Sequence, residues 1–272
     1  MTKHSKPKIL LTNDDGFESP GLWHAAHALK AVGDVWVVAP RDQSTGMGRS
    51  MPGSSDGIIE TRSVEWQGKM WTAYAVGGSP AQVVGHAMLE VMAGKPDLVV
   101  SGINYGENLG TGVTISGTVG AALEGAANGV PGLAVSLETP AHTHTQHDDS
   151  IDFSAAAYFT AKFARLMLAH VFPADVDVLK VDLPEEATPQ TSWQLTHLSR
   201  QRYYVSTKPQ RADWSQPARV GYKRAENLDA FPPKSDVYTV LVRREISVTP
   251  LSLDMTSRID LSMLETEIRA IR

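Results

Sequence analysis

The 272-residue chain contains no cysteine. This absence excludes disulfide bonds, thiolate metal sites and a cysteine nucleophile. Any metal that the protein binds must therefore be held by oxygen or imidazole ligands.

The chain also lacks any apolar run that approaches the roughly 20 residues needed to span a bilayer. Residues 1–8 are polar and basic, without the apolar core of a secretory signal. We therefore expect a cytoplasmic protein with no membrane partner.

An excess of basic charge is the third missing feature. The 25 Lys and Arg residues are outnumbered by 30 Asp and Glu residues, which gives a formal net charge of -5. Proteins that bind nucleic acids broadly carry a basic patch on a basic domain, so we expect no nucleic-acid duplex as a partner. The 42% of hydrophobic residues is ordinary for a packed globular enzyme.

Short apolar runs alternate with segments of helical periodicity along the first two thirds of the chain. Such alternation predicts a Rossmann-like α/β fold, with a mostly parallel sheet covered by helices on both faces. The predicted strands are Lys8–Thr12, Val35–Ala39, Leu98–Ser101, Leu133–Leu137 and Val178–Asp182. The predicted helices are Leu22–Leu29, Pro80–Ala93, Thr118–Asn128 and Phe153–His170.

Two segments depart from this alternation. Ile58–Val76 reads as an inserted antiparallel hairpin, and Pro189–Pro233 has weak periodicity, which indicates a partly extruded extension. Further predicted elements are strands at Val237–Val242 and Ile246–Val248 and a terminal helix with Ile259, Leu261, Leu264, Ile268 and Ile271 near one face. We predict a catalytic core over residues 1–185 and a C-terminal extension over residues 186–272, with a β-hairpin and the terminal helix, in one domain.

Ligands of parallel α/β sheets collect at the carboxyl edge of the strands, where the polar loops Asn13–Gly21, Pro40–Ser50 and Gly102–Thr118 should converge. The contiguous carboxylates of Asp14 and Asp15 would repel each other in a confined site, which favours a bound divalent cation. The hydroxyl of Ser44 and the amide oxygen of Asn104 are ligand types that suit Mg²⁺ or Mn²⁺. The alternative is that all four are ordinary turn or cap residues.

Ser116, Gly117 and Thr118 stand directly before an apolar helix. Their hydroxyl and N–H groups are placed to bind a phosphate at the positive end of the helix dipole, although a simple N-cap explains the same pattern.

Several nucleotide-binding and hydrolase motifs are missing. There is no G-x-x-x-x-G-K-[ST] sequence, no G-x-G-x-x-G after the first strand and no G-x-S-x-G between a predicted strand and helix. The haloacid-dehalogenase-like phosphatases place one residue between their two aspartates, whereas Asp14 and Asp15 are contiguous.

Histidine and carboxylate residues also cluster over 142–149. Imidazole and carboxylate both bind transition metals, but the segment has no periodicity and is interleaved with Thr and Gln. We predict a solvated loop there.

Taken together, several ordered blocks of the chain resemble the SurE family of survival-protein nucleotidases. The blocks are Ile9–Gly16, Val37–Pro40, Pro96–Asn104, Ser116–Val119, Ala122–Ala126, Ser235–Tyr238 and Ile246–Leu251.

The resemblance implies hydrolysis of nucleoside 5′- and 3′-monophosphates with one divalent metal ion per subunit, Mg²⁺ or Mn²⁺, in a homodimer or homotetramer. It implies Asp14, Asp15, Ser44 and Asn104 as metal ligands, and Ser116, Gly117 and Thr118 as phosphate-binding residues. To the phosphate we add Asn13 and, because of its charge, Arg49, which replaces the His or Asn common in the family. Asp14 or Asp15 is also the expected base or nucleophile.

The loop after Ser44 is about one residue longer than is usual in the family, and residues 211–221 do not match its aromatic-rich segment. Contacts to the base therefore do not transfer. Two further functions remain open from the residues alone: a phosphatase for polyphosphate or phosphosugars, and a non-catalytic sensor of nucleotides or phosphate.

Overall fold

A computed structural model describes residues 6–92, 94–145 and 147–271. Eleven strands are found there: β1 (Lys8–Thr12), β2 (Asp34–Pro40), β3 (Ile59–Trp66), β4 (Lys69–Val76), β5 (Leu98–Tyr105), β6 (Gly132–Leu137), β7 (Val178–Leu183), β8 (Trp193–Leu195), β9 (Tyr204–Thr207), β10 (Gly221–Arg224) and β11 (Ile246–Leu251). The α-helices are α1 (Pro20–Leu29), α2 (Pro80–His86), α3 (Gly117–Ala127), α4 (Ser154–Ala169), α5 (Asp236–Leu241) and α6 (Leu261–Ala270).

Nine strands form one mixed sheet in the order β3-β4-β2-β1-β5-β6-β7-β11-β8. The six strands from β4 to β7 in this order are parallel, and β3 and β11 run antiparallel to their neighbours β4 and β7. The predicted α/β fold and the predicted hairpin are confirmed. Because the six parallel strands point the same way, their carboxyl ends meet at one edge of the sheet.

Apolar side chains of the central strands alternate between the two faces. Ile9 and Leu11 pack with α1 and α4, whereas Leu10 packs with α2 on the opposite face. This alternation follows from the two-residue period of a strand. Asp14 continues the Leu10 series, which places it on the face that α3 covers.

The structure corrects one predicted element. Residues 237–242 read as a strand because they are mostly β-branched, but Asp236–Leu241 is helical. The Ser235 side chain accepts a hydrogen bond from the Tyr238 N–H at 3.2 Å, which caps the helix. Burial of Val237 and Val240 against the core then outweighs the β propensity.

The predicted helix Pro80–Ala93 is an α-helix only to His86 and continues as one π-helical stretch over Ala87–Val91. Ala93 lies outside the described residues. Within the described ranges, no helix is long and apolar enough to cross a membrane.

The C-terminal segment contributes both to the main sheet and to the surface. Strands β8 and β11 extend the nine-stranded sheet, while β9 and β10 pair with each other as a separate antiparallel hairpin. The terminal helix α6 is present as predicted, and none of its residues is buried.

Candidate active site

Asp14 and Asp15 follow β1 at the carboxyl edge of the sheet. Although both are charged residues, their relative exposures are only 3% and 2%. The loop that carries them is closed by a hydrogen bond of 2.9 Å from Asn13 Nδ2 to the carbonyl oxygen of Gly16. The Ser44 N–H donates to the carbonyl oxygen of Asp14 at 2.7 Å, which ties the loop after β2 to it.

The amino terminus of α3 lies directly on Asp14. The Thr118 hydroxyl donates to Asp14 Oδ1. A Cβ atom at Gly117 would lie 2.7 Å from Asp14 Cβ, so only glycine permits this approach. Ser116 caps the helix, its hydroxyl oxygen accepting from the Val119 N–H at 3.1 Å. The structure therefore brings the predicted segment 116–118 to Asp14.

Burial dominates the electrostatics of the two aspartates. It raises the pKa of Asp14 to about 6, against the opposing effect of the Thr118 hydroxyl and the N–H groups of Thr118 and Gly117. Burial and then the charge of Asp14 raise the pKa of Asp15 well above its usual range. The Tyr105 N–H, which donates to Asp15 Oδ2 at 3.0 Å, offsets part of this shift. Two adjacent buried carboxylates thus hold charge that a cation or a proton would stabilise.

Amide oxygens are available beside these carboxylates. The side-chain nitrogen of Asn104 donates to the carbonyl oxygens of Tyr105 and Gly106 at 3.1 and 2.7 Å, which leaves Asn104 Oδ1 without a hydrogen bond among the described residues. Asn13 Oδ1 is buried and has no partner there either. An orphaned buried oxygen normally has a ligand or water. These oxygens and the two carboxylates fit a hard cation.

Within the described part of the chain, no three histidine, aspartate or glutamate side chains are grouped to hold a metal ion. A cation at Asp14 and Asp15 would therefore need further oxygens from amide or hydroxyl groups. Ser44 is the predicted hydroxyl ligand. Its Oγ donates to the carbonyl oxygen of Asp42 at 3.3 Å, so one contact now fixes its side chain within the loop.

Arg49 is held by α3. Its Nε atom donates to Glu124 Oε2 at 2.7 Å, and the neighbouring Gly48 N–H donates to the carbonyl oxygen of Ile115 at 2.9 Å. A Cβ atom at Gly120 would lie 2.3 Å from the Gly48 carbonyl oxygen, so the loop packs closely on the helix. Arg49 is therefore paired with a carboxylate two helical turns beyond Ser116.

The predicted solvated loop is found only in part: His142, His147 and Asp149 are exposed, whereas Thr143 and His144 are buried. His144 is buried, and its Nδ1 atom lies 3.0 Å from the hydroxyl of Tyr222 on β10. His147 donates from Nε2 to the carbonyl oxygen of Asp15 at 3.0 Å, and its ring stacks on Tyr105 with a centroid distance of 6.1 Å. Sequence reasoning missed these contacts because only the tertiary fold brings the hairpin and the aspartate loop to this segment.

A cavity of about 260 Å³ opens beside Asp15. It lies between the loops that follow β1 and β2 and the loop that carries His147. Its lining residues are Asp15, Gly16, Phe17, Glu18, Arg41, Asp42, Gln43 and His147.

Residues 9–205 match the model of a family described as Survival protein SurE. The chain belongs to the SurE family. Two relatives, both named 5′-nucleotidase SurE, are similar to this chain over most of its length. The protein from Thermococcus kodakarensis is 40% identical over 93% of this chain and 95% of its own length, and that from Methanocella arvoryzae is 42% identical over 92% and 93%.

A solved structure supports the same conclusion for the fold. The crystal structure of the SurE protein from Aquifex aeolicus superposes with a TM-score of 0.74 at 30% identity, covering 96% of this chain and all of that one. The resemblance inferred from the ordered sequence blocks is therefore confirmed.

Proposed function

We propose that this SurE family member is a phosphatase that hydrolyses nucleoside 5′- and 3′-monophosphates. The observation that carries the proposal is the buried pair of Asp14 and Asp15 against the amino terminus of α3, in a chain about 40% identical to relatives named 5′-nucleotidase. In the reaction, a water oxygen forms a bond to phosphorus and the ester P–O bond breaks. The leaving oxygen takes up a proton, which gives the nucleoside and hydrogenphosphate.

We assign one divalent cation per subunit, Mg²⁺ or Mn²⁺, to Asp14, Asp15, Asn104 and Ser44. When bound, such an ion supplies Lewis acidity toward a phosphoryl oxygen. The two carboxylates and the orphaned buried oxygen of Asn13 support this assignment. The side-chain nitrogen of Asn104 is engaged by two carbonyl oxygens, which leaves its side-chain oxygen as the candidate ligand.

The side chains themselves supply orientation and a proton acceptor. Asp14 accepts from Thr118 and is fixed on α3, while Asp15 is oriented by the Tyr105 N–H. We assign to these carboxylates the role of base toward the attacking water or, alternatively, of a nucleophile whose phosphoryl intermediate water then hydrolyses. Fixed donors of this kind stabilise charge without reorganising during the reaction.

Phosphate binding is assigned to Asn13, Ser116, Gly117, Thr118 and Arg49. The nitrogen Nε of Arg49 is engaged by Glu124, whereas its terminal nitrogens make no hydrogen bond among the described residues. This arrangement supports a guanidinium that is anchored at one side and donates from the other.

Phosphate release from a panel of monophosphates tests the proposal. We expect release from AMP, GMP and their 3′ isomers in Mg²⁺ or Mn²⁺, loss of release in chelator, and slower release from sugar phosphates. A matched Asp14→Asn variant should bind the panel but release little phosphate. Tight binding of AMP without release by the wild-type protein would instead indicate a sensor.

We further propose that residues 1–185 and 186–272 act as one domain in a homodimer or homotetramer in the cytoplasm. The pairing of β11 with β7 supports a single domain, because a segment after residue 185 completes the central sheet.

A further inference from the structure

We infer that the cavity beside Asp15 receives the leaving nucleoside, and that Glu18 at its rim discriminates against phosphate compounds whose leaving group is negatively charged. This inference rests on the proposed phosphatase function. It assigns the specificity for monophosphates to a residue outside the set proposed to hold the metal and the phosphate.

The cavity adjoins the reacting groups directly. Asp15 lines the cavity, and so does His147, which donates a hydrogen bond to the Asp15 carbonyl oxygen. A phosphate held at Asp14 and Asp15 would therefore have its ester group next to this space. At about 260 Å³, the cavity is close to the lower end of the range of roughly 300 to 1,000 Å³ for small-molecule pockets.

The walls suit a neutral ring system with hydrogen-bond donors. Phe17 lies in the wall with little exposed surface, and its ring is fixed by an edge contact with Trp23 at a centroid distance of 5.5 Å. His147 is stacked on Tyr105 and tethered to Asp15, so its ring is held in place. Gln43 donates to the carbonyl oxygen of His144 at 3.0 Å, which leaves its side-chain oxygen as an acceptor. The hydroxyl and amino groups of a nucleoside are complementary donors.

The charge of the lining opposes an anionic leaving group. Three carboxylates and one guanidinium line the cavity. The guanidinium of Arg41 is already paired with Asp42 at 3.2 Å and, outside the cavity, with Asp56 at 2.8 Å and Glu60 at 3.6 Å. Little positive charge therefore remains to attract a second phosphate.

Glu18 is the carboxylate best placed to act as this filter. It is exposed, and within the described residues it makes no hydrogen bond or ion pair. A structural role would require contacts that Glu18 lacks, so its charge is available to repel an anion. With AMP the leaving group is neutral adenosine, whereas with ADP it is AMP, which carries a phosphate into the cavity.

The test compares kcat/KM for AMP, ribose 5-phosphate, ADP and tripolyphosphate in wild type, Glu18→Gln and Glu18→Lys. The control is Glu65→Gln, an equal charge change at an exposed position on β3. Glu65 pairs with Met70 at the start of β4, so it lies at the edge of the sheet opposite the site.

We expect Glu18→Gln to raise the ADP-to-AMP ratio of kcat/KM by roughly three- to tenfold. The substitution removes the repulsion between two like charges a few ångströms apart, which has about this effect in a partly solvated site. Glu18→Lys should raise it further, and Glu65→Gln should leave it unchanged. The inhibition constant of tripolyphosphate against AMP hydrolysis should fall in the same order. Raising the salt from about 0.01 M to about 1 M, which shortens the Debye length from about 30 to about 3 Å, should shrink the wild-type preference.

Two failures are distinguishable. If wild type hydrolyses AMP but the ratio stays within about twofold in both Glu18 variants, the role of Glu18 is refuted and the phosphatase function stands. If wild type releases no phosphate from AMP with either metal, the proposed function fails and this inference fails with it.

Discussion

Lys180 on β7 is buried without any exposed surface, and replacing it tests how the segment between β5 and α3 is anchored. Its Nζ atom donates to Asp182 on the same strand and to Asp236 Oδ2 at 3.2 Å. All three residues have a relative exposure of 0%. Asp236 also accepts the Gly110 N–H at 2.8 Å, and Asp182 accepts the Asn108 N–H at 2.7 Å.

We expect Lys180→Met to lower the free energy of unfolding by about 3 to 5 kcal/mol. Methionine matches the length of the lysine stem but leaves two carboxylates buried without their cation, and breaking a buried ion pair in this way costs about that amount. For a chain of this size each kcal/mol lowers Tm by about 2 to 4 °C, so a drop of about 6 to 20 °C is predicted.

The destabilisation should depend on pH. In the variant, the unpaired carboxylates bind protons more tightly in the folded than in the unfolded state, so the free energy of unfolding falls as pH rises. The loss relative to wild type should therefore be smaller at about pH 5 than at about pH 8. Denaturant titrations at the two pH values measure it, and the triple variant with Asp182→Asn and Asp236→Asn should recover most of the loss.

A loss below about 1 kcal/mol that does not change with pH would refute the reasoning, because an exposed pair behaves in that way. The same result in the triple variant and in Lys180→Met would show that the side-chain volume, and not the charge, sets the stability.

Two further predictions concern the site, one concerns the pH dependence of stability and one the oligomeric state. Asp14→Asn and Asp15→Asn should each lower kcat by orders of magnitude, and retained phosphate release would exclude the replaced residue from the catalytic site. In chelator, calorimetry should show that both variants melt no lower than wild type, because each substitution removes charge repulsion between buried carboxylates. Arg49→Ala should lower kcat more than it raises KM, with partial rescue by Arg49→Lys; steady-state parameters within about twofold of wild type would leave Arg49 no catalytic role. Burial raises the pKa of Glu107 to about 7, above its ordinary 4.5. The contribution of Glu107 to the free energy of unfolding is therefore fully present at low pH and is lost as pH rises through 7, by about 3 kcal/mol at most. Glu107→Gln should flatten the dependence of the free energy of unfolding on pH between pH 4.5 and pH 7. The full chain should sediment as at least a dimer at micromolar concentration, and a clean monomer would contradict this.

Much of the fold could be predicted from local patterns in the amino-acid sequence. Buried strands such as Lys8–Thr12 and the hairpin over residues 58–76 were predicted correctly because apolar periodicity and turn residues act over a few positions. The strand predicted at residues 237–242 was wrong because its β-branched composition is a weaker signal than the Ser235 cap and the burial of one helical face.

Most residues of the candidate site could be identified from local sequence patterns. Asp14, Asp15, Asn104 and the segment 116–118 stand at strand ends and at a helix start, and the rule that parallel strands open on one edge is enough to gather them. The pairing of Arg49 with Glu124 was not predicted, because residues 75 positions apart are joined by packing of a loop on α3.

The surroundings of Asp14 and Asp15 depend on contacts between segments that are distant in the chain. The approach of His147 to Asp15, the burial of His144 under Tyr222 and the cavity with Glu18 at its rim depend on how three loops and a distant hairpin meet. Such contacts carry no periodic signal, since they arise from shape and charge between segments far apart in the chain. Local sequence therefore identified the candidate site residues, and the packing of loops determined what surrounds them.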